Sequence, residues 1–137
     1  MLALRLLAAV PVTALLAACA AQPMGPDRTA RGDARLAQAL AGKIPGRPVS
    51  CLPNFRSGEM EVIDSGTLIF RDGRTTYLQR THGNCYPGGD RGGYTLVTKQ
   101  SGGSGNCRGD IAQVVELSTG TFAGSCSFND FIPYRAP

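Results

Sequence analysis

The chain has 137 residues, 18 of them glycine, five cysteine and none tryptophan, with 42% hydrophobic, enough to bury the core of one small domain but not of two. Its formal charge of +4 suggests a polyanion partner until the excess is located. From residue 51 to 137 eight basic residues balance eight acidic ones, and the surplus sits on residues 20–50, where five basic residues meet two acids; that distribution argues against DNA or RNA as partner.

Arg5 is the one charge ahead of an apolar run over residues 6–18. The run is about half the length that spans a bilayer, so it reads as a signal peptide and not as a membrane helix. Leu16-Ala17-Ala18-Cys19 closes it and resembles the lipobox of bacterial lipoprotein precursors. That resemblance implies cleavage after Ala18 and lipidation of Cys19, and two or more acyl chains make a stable anchor. Ala20, not aspartate, follows the cysteine; the sorting rule of Gram-negative lipoproteins then implies the outer membrane, facing the periplasm. The competing reading is an ordinary secretory peptide that leaves Cys19 free. A basic juxtamembrane segment carrying Arg28, Arg31, Arg35, Lys43 and Arg47 suits anionic head groups, at up to about 1 kcal/mol per charge.

Residues 1–18 are thus the expected signal peptide, 19–33 a lipidated flexible tether, 34–50 a short helix and linker, and 51–137 a disulfide-stapled β domain. Pro23, Gly25 and Pro26 interrupt the tether. After Asp33 come good helix formers with Leu36 and Leu40 one turn apart and Gly42 at the stop position, which predicts a helix over residues 34–41. So short a helix forms only if its two leucines dock on the domain.

Beyond Pro45, Gly46 and Pro48 the pattern changes to period two. Residues 60–64 form one β-prone run. Residues 67–71 and 74–79 flank Asp72-Gly73, a strong hairpin signal, with Leu68 and Phe70 on the face toward the core. Residues 83–93 carry too many glycines for regular structure and read as a long loop. A fourth strand over 94–99, a glycine-rich loop over 101–105 and a fifth strand over 111–117 follow, with Val114 and Val115 on opposite, covered faces. Alternation over 121–128 puts Phe122, Gly124, Cys126 and Phe128 on one inward face. Residues 131–134 close the chain, Pro133 demanding an edge or non-strand position. The expected fold is mainly β, a small antiparallel barrel or roll of about six strands with one short N-terminal helix.

The four cysteines beyond Cys19 are an even number in a chain sent to an oxidising compartment, so two disulfides are expected. Three pairings are open. The one favoured here is Cys51 with Cys126 and Cys85 with Cys107, the second stapling the two glycine-rich loops. His82 and Cys85 lie three apart, but a catalytic thiol needs a spatially assembled partner set that nothing marks. The cysteines lack the C-x-x-C spacing of zinc sites, and no metal or cofactor is expected. Arg31-Gly32-Asp33 and Arg108-Gly109-Asp110 repeat an integrin-type tripeptide, best read as chance in a chain so rich in these residues. No carboxylate pair stands out as acid and base, so no catalytic residue is assigned. Loops that could insert into a partner carry Tyr86, Arg91, Ser101, Ser104 and Arg108.

Several phrases point to relatives. Pro48-Val49-Ser50-Cys51-Leu52-Pro53, Leu96-Val97-Thr98, Cys107-Arg108-Gly109-Asp110-Ile111-Ala112-Gln113-Val114-Val115 and Asp130-Phe131-Ile132-Pro133-Tyr134 resemble a group of small, uncharacterised lipoprotein-like proteins of Alphaproteobacteria, sphingomonads especially. The resemblance covers most of residues 34–137 and implies a Gram-negative envelope setting, without an activity or a residue role. The function expected is a non-enzymatic outer-membrane lipoprotein that binds or supports another envelope component, with a membrane contact through its lipid and an envelope protein as partner. The alternative is an inhibitor of a periplasmic hydrolase, lysozyme or protease, acting through a disulfide-pinned glycine-rich loop; lysozyme-inhibitor lipoproteins are similar in size and location.

Overall fold

A computed structural model describes residues 30–53, 60–87, 92–99 and 105–137. Its one described helix, α1, is Ala30–Leu40, and the strands are β1 Ile44–Pro45, β2 Cys51–Pro53, β3 Met60–Asp64, β4 Thr67–Asp72, β5 Thr75–His82, β6 Tyr94–Lys99, β7 Gly105–Cys107, β8 Ile111–Glu116 and β9 Phe122–Arg135. The main sheet runs β3-β4-β5-β9-β8-β6, entirely antiparallel, with β1 along β9, while β2 and β7 form a separate ribbon. It curls into a half-barrel. The mainly β architecture and all six expected strands are present; β1, β2 and β7 are additions too short to show periodicity.

Helix α1 begins four residues earlier than expected, so residues 30–33 do not belong to the tether. Gly32 and Leu36, one turn apart, form its buried stripe. Packing, and not helix propensity, holds that first turn, since glycine is a poor helix former. At the other end Gly42 takes the left-handed conformation, φ 69°, that closes helices. Lys43 Nζ donates to the Ala39 carbonyl at 2.9 Å and to Thr76 Oγ1 at 2.8 Å, tying the negative end of the helix to β5.

The hairpin is present, shifted by one residue. Asp72 pairs with Thr75, leaving Gly73 and Arg74 as the turn, and Gly73 supplies the positive φ, 56°, that mirror-image hairpin turns require. Leu68 and Phe70 are buried on one face as expected. Ile69 between them is equally buried, at 0% exposure, because β4 has a core on both sides. On the inner face Leu68 and Phe70 join Leu52, Ala112, Cys126, Phe128 and Phe131; on the outer face Ile69, Ile63 and Leu78 meet Leu36 of α1, with Leu40 packed alongside. Both leucines of the helix therefore dock. Rings of Phe70, Phe128 and Phe131 meet pairwise with centroids 5.8–6.3 Å apart, each such contact adding about 0.5–1.5 kcal/mol beyond burial.

Strict alternation cannot place Phe128 and Phe131 in one core, and a bulge resolves the conflict. Gln79 pairs with Phe131 and Thr81 with Phe128, so β9 holds one more residue than β5 across that interval. Gln79, at 0% exposure, stabilises the irregularity: its Nε2 donates to the Asn129 carbonyl at 2.8 Å and its Oε1 accepts from the Asn129 amide at 3.1 Å. A second bulge corrects another expectation. Val114 pairs with Gly124 and Val115 with Phe122, so the inward face ends at Gly124 and Phe122 points out, 60% exposed. Val114 is fully buried while Val115 is only partly covered.

Pro133 corrects a third. It lies within β9, opposite Tyr77 of β5, and its carbonyl accepts from the Gly46 amide on the other side at 2.7 Å. A residue's N–H and C=O project to the same side of a strand, so the donor that proline lacks would face the short β1 segment, and the β5 ladder is intact.

All four of these cysteines are bridged, but in a different pairing, Cys51 with Cys107 and Cys85 with Cys126. Register is the reason. Cys51 and Cys107 stand directly opposite each other in the β2–β7 ribbon, with Cα atoms 4.0 Å apart, while the inward face of β9 brings Cys126 to Cys85 in the core. The expected Cys51–Cys126 and Cys85–Cys107 bonds would each join the ribbon to the core interior.

Two outcomes test this account. Replacing Gln79 by alanine strips both Asn129 backbone groups of their partner and should lower the unfolding free energy by about 2–4 kcal/mol, seen as a lower urea midpoint at unchanged slope. Mild reduction of the native protein followed by alkylation and peptide mapping should label Cys51 and Cys107 first, because Cys51 is exposed whereas Cys85 and Cys126 are 0% and 5% exposed; simultaneous labelling of all four would contradict the separation into an outer and a buried bond.

Candidate functional site

A half-barrel leaves a gap between its first and last strands, β3 and β6. In this chain the gap holds a cleft of about 410 Å³, lined by Met60, Glu61 and Val62 of β3, Tyr94 of β6, Gly92 ahead of it, Tyr86, Arg71 of β4 and Arg35 of α1. That volume lies within the usual range for ligand sites, about 300–1,000 Å³.

The strand pattern sorts these groups. Met60 pairs with Phe70 and Val62 with Leu68, so their side chains share the inner, apolar face and pack against the core. Glu61 pairs with Ile69 and lies on the helix side. There Arg35 Nη2 reaches Glu61 Oε1 at 3.3 Å, and Arg71 Nη2 bonds Glu61 Oε2. The cleft therefore has a charged lip, two guanidinium groups sharing one carboxylate, above an apolar floor. All three side chains of the lip keep 29–46% of their surface. Ion pairs this wet contribute about 0–1 kcal/mol each, so an incoming anion can share the arginines without a large cost to the fold.

Tyr86 is placed by covalent and backbone anchors. The amides of Cys85 and Tyr86 both donate to the Ser65 carbonyl in the β3–β4 turn, at 2.8 and 3.2 Å, and the Cys85–Cys126 bond holds the segment to β9. The Asp64 Oδ1 bond to the Gly66 amide, 3.0 Å, shapes the same turn. Tyr94 is positioned from the far bank, where the Leu117 amide donates to the Gly93 carbonyl at 2.8 Å. Burial raises the Tyr86 pKa above its ordinary value. At neutral pH its phenol is thus a protonated hydrogen-bonding group on an aromatic wall.

Of the residues singled out from sequence, Tyr86 lies in this cleft. Arg108 is elsewhere, exposed and paired with Asp130 at 3.2 Å. Cys19, Arg91, Ser101 and Ser104 fall outside the described residues. The second Arg-Gly-Asp tripeptide builds a turn into β8: Asp110 Oδ2 accepts from the Cys107 amide at 2.8 Å and Gly109 takes φ 87°. The first lies within α1. His82 is exposed on β5, and Cys85 is bridged and buried, so the pair offers no thiol nucleophile. Among the described residues no three His, Cys, Asp or Glu side chains gather as a metal site would require.

Arg35, Met60, Glu61, Val62, Arg71 and Tyr94 were not identified from sequence. Pairing residues 60–64 with 67–71 would have put Glu61 and Arg71 on one face of a hairpin, a signal available from alternation alone. Arg35 gives no such signal, since only the docking of α1 brings it to Glu61.

Comparisons with protein-family models, with curated proteins and with solved structures find no match to this chain.

Alkaline titration tests the Tyr86 assignment. Because its folded pKa is raised, the stability it contributes is fully present below the ordinary value of 10.0 and is lost as pH rises through the folded value. Phenolate absorbance from Tyr86 should emerge only above that ordinary value, and Tyr86→Phe should remove this late component and lessen the alkaline loss of stability. A variant titrating like the parent minus an early component would refute the buried placement.

Proposed function

We propose that the chain is a lipid-anchored outer-membrane lipoprotein facing the periplasm, and that its half-barrel cleft binds another component of the cell envelope without chemical turnover. The observation that carries the binding part is the cleft itself. Its groups suit recognition: a pair of arginines bonded to one carboxylate, two tyrosines, and an apolar floor continuous with the core. Such a combination of a few placed polar groups over an apolar surface is what binding sites share. The location rests on the Leu16-Ala17-Ala18-Cys19 signal. Inhibition of an envelope hydrolase is the second reading, supported by the pinning of residues 83–87 through the Cys85–Cys126 bond.

The test is made in the producing cells with a photo-crosslinking residue at Met60, in the cleft, and a control at the exposed Ser118. The expected result is a discrete envelope adduct from position 60 alone, with the protein in the outer-membrane fraction and carrying lipid. Cys19→Ala should lose the lipid and accumulate as the uncut precursor. A catalytically active hydrolase as the adduct would favour inhibition. Equal capture from both positions, or normal processing of Cys19→Ala, would overturn the corresponding half of the proposal.

A further inference from the structure

The cleft lies along the edge of β3, not over a face of the sheet. Met60, Glu61 and Val62 are consecutive in an extended strand, so their side chains alternate between inner and outer faces, yet all three line the same cleft. Only a cleft that follows the strand's open edge can touch both faces. β3 ends the sheet on that side, and among the described residues no strand pairs with its outer edge. In Met60–Asp64 the residues Met60, Glu61 and Val62 are half-buried while Ile63 and Asp64 are buried, so the edge offers about 10 Å of backbone N–H and C=O groups. Exposed edges of this kind are usually blocked by charge, bulge or a covering element. Here the bulge between Val62 and Asp64 disturbs only the far end, leaving the part that faces the cleft regular.

We propose that this edge takes an extended segment of a partner protein as an added strand, and that the segment alternates acidic with apolar residues. The inference rests on the reading of the cleft as the binding site and specifies what enters it. Backbone pairing supplies affinity in such strand additions, and alternate side chains supply specificity. A strand laid beside β3 sends one set of side chains to the helix side, where the Arg35 and Arg71 guanidinium groups flank Glu61. It sends the other set to the inner side, against Met60, Val62, Tyr86 and Tyr94. Acids on the first set meet the arginines; apolar residues on the second extend the core. A basic segment would put like charges on the lip, and a uniformly apolar one would leave both guanidinium groups without an added partner.

The test uses the chain as cells process it, labelled with 15N, and an end-blocked octapeptide of alternating glutamate and valine. Expected are amide shifts at Met60–Asp64, binding about tenfold or more tighter than the lysine–valine counterpart, and weakening as salt is raised. Arg71→Gln should weaken the acidic peptide about two- to fivefold and leave the lysine peptide no weaker; Arg35→Gln repeats the measurement from the helix. Methylating the backbone nitrogens of every glutamate in one peptide, and of every valine in another, should abolish binding for one of the two, whichever presents its donors to β3. Equal binding of acidic and basic peptides, indifference to both methylation patterns, shifts confined to other strands, or no binding at all would each overturn the strand addition. If the peptides fail while position 60 still captures an envelope component in cells, the binding site stands and only its occupant is wrong; if both fail, the cleft is not the site.

Discussion

Both ends of the Gln79 amide bond the backbone of Asn129, and the extra residue that this pair of bonds holds in β9 determines how the rest of the chain closes. A regular β9 would send Phe131 to the face opposite Phe128. With the bulge, both rings enter the inner core and meet Phe70 from the neighbouring hairpin. The bulge also bends a strand of 14 residues, so that its first half pairs with β8 and its second with β5. Bending of this kind turns a flat sheet into a curled one. A buried amide left unpaired would cost about 1–3 kcal/mol, so the side chain at position 79 and the irregularity it serves depend on each other.

The site follows from the same curvature. Because the sheet curls without closing, β3 and β6 stay apart, and what would be a barrel seam becomes a cleft. Its inner wall is the rim of the core, which makes it rigid, whereas its outer lip consists of solvated ion pairs that cost little to rearrange. The division of labour lies in the strand pattern: alternate residues of β3 belong to structure and to surface. Helix α1 completes the arrangement by bringing Arg35 against Glu61 from the far side of the sheet, a contact between residues that are 26 apart in sequence.

Much of this was legible in the chain and some could not be. The β class, the six main strands, the hairpin at Gly73 and the docking of Leu36 and Leu40 all follow from local patterns of apolar and turn residues. What alternation could not reveal was where it breaks. Gln79 gives no sign from sequence that it will serve a bulge 50 residues away, so the path from Phe128 to Phe131 reads as the end of one strand and a separate segment. Pro133 reads as a strand breaker because its neighbour on the donor-less side is a two-residue strand invisible to periodicity. The first turn of α1 is hidden for a similar reason: Gly32 argues against a helix until its burial is known. The cysteine pairing depends on the register of a ribbon of three residues per strand, which no local signal specifies. Of the cleft, Tyr86 was found through its loop, but the lip depends on a helix–sheet contact that only the assembled fold creates.

The pairing of the cysteines has a topological consequence. Along the chain the two bonds cross, the first joining Cys51 to Cys107 and the second Cys85 to Cys126. One cut by a protease anywhere between Cys51 and Cys126 leaves the two pieces covalently joined. Two cuts, one between Cys51 and Cys85 and the other between Cys107 and Cys126, still release nothing, because the middle piece is bonded to both outer ones. Nested bonds would have freed that middle piece. Wherever peptidases are active, a nicked copy of this domain therefore remains one molecule.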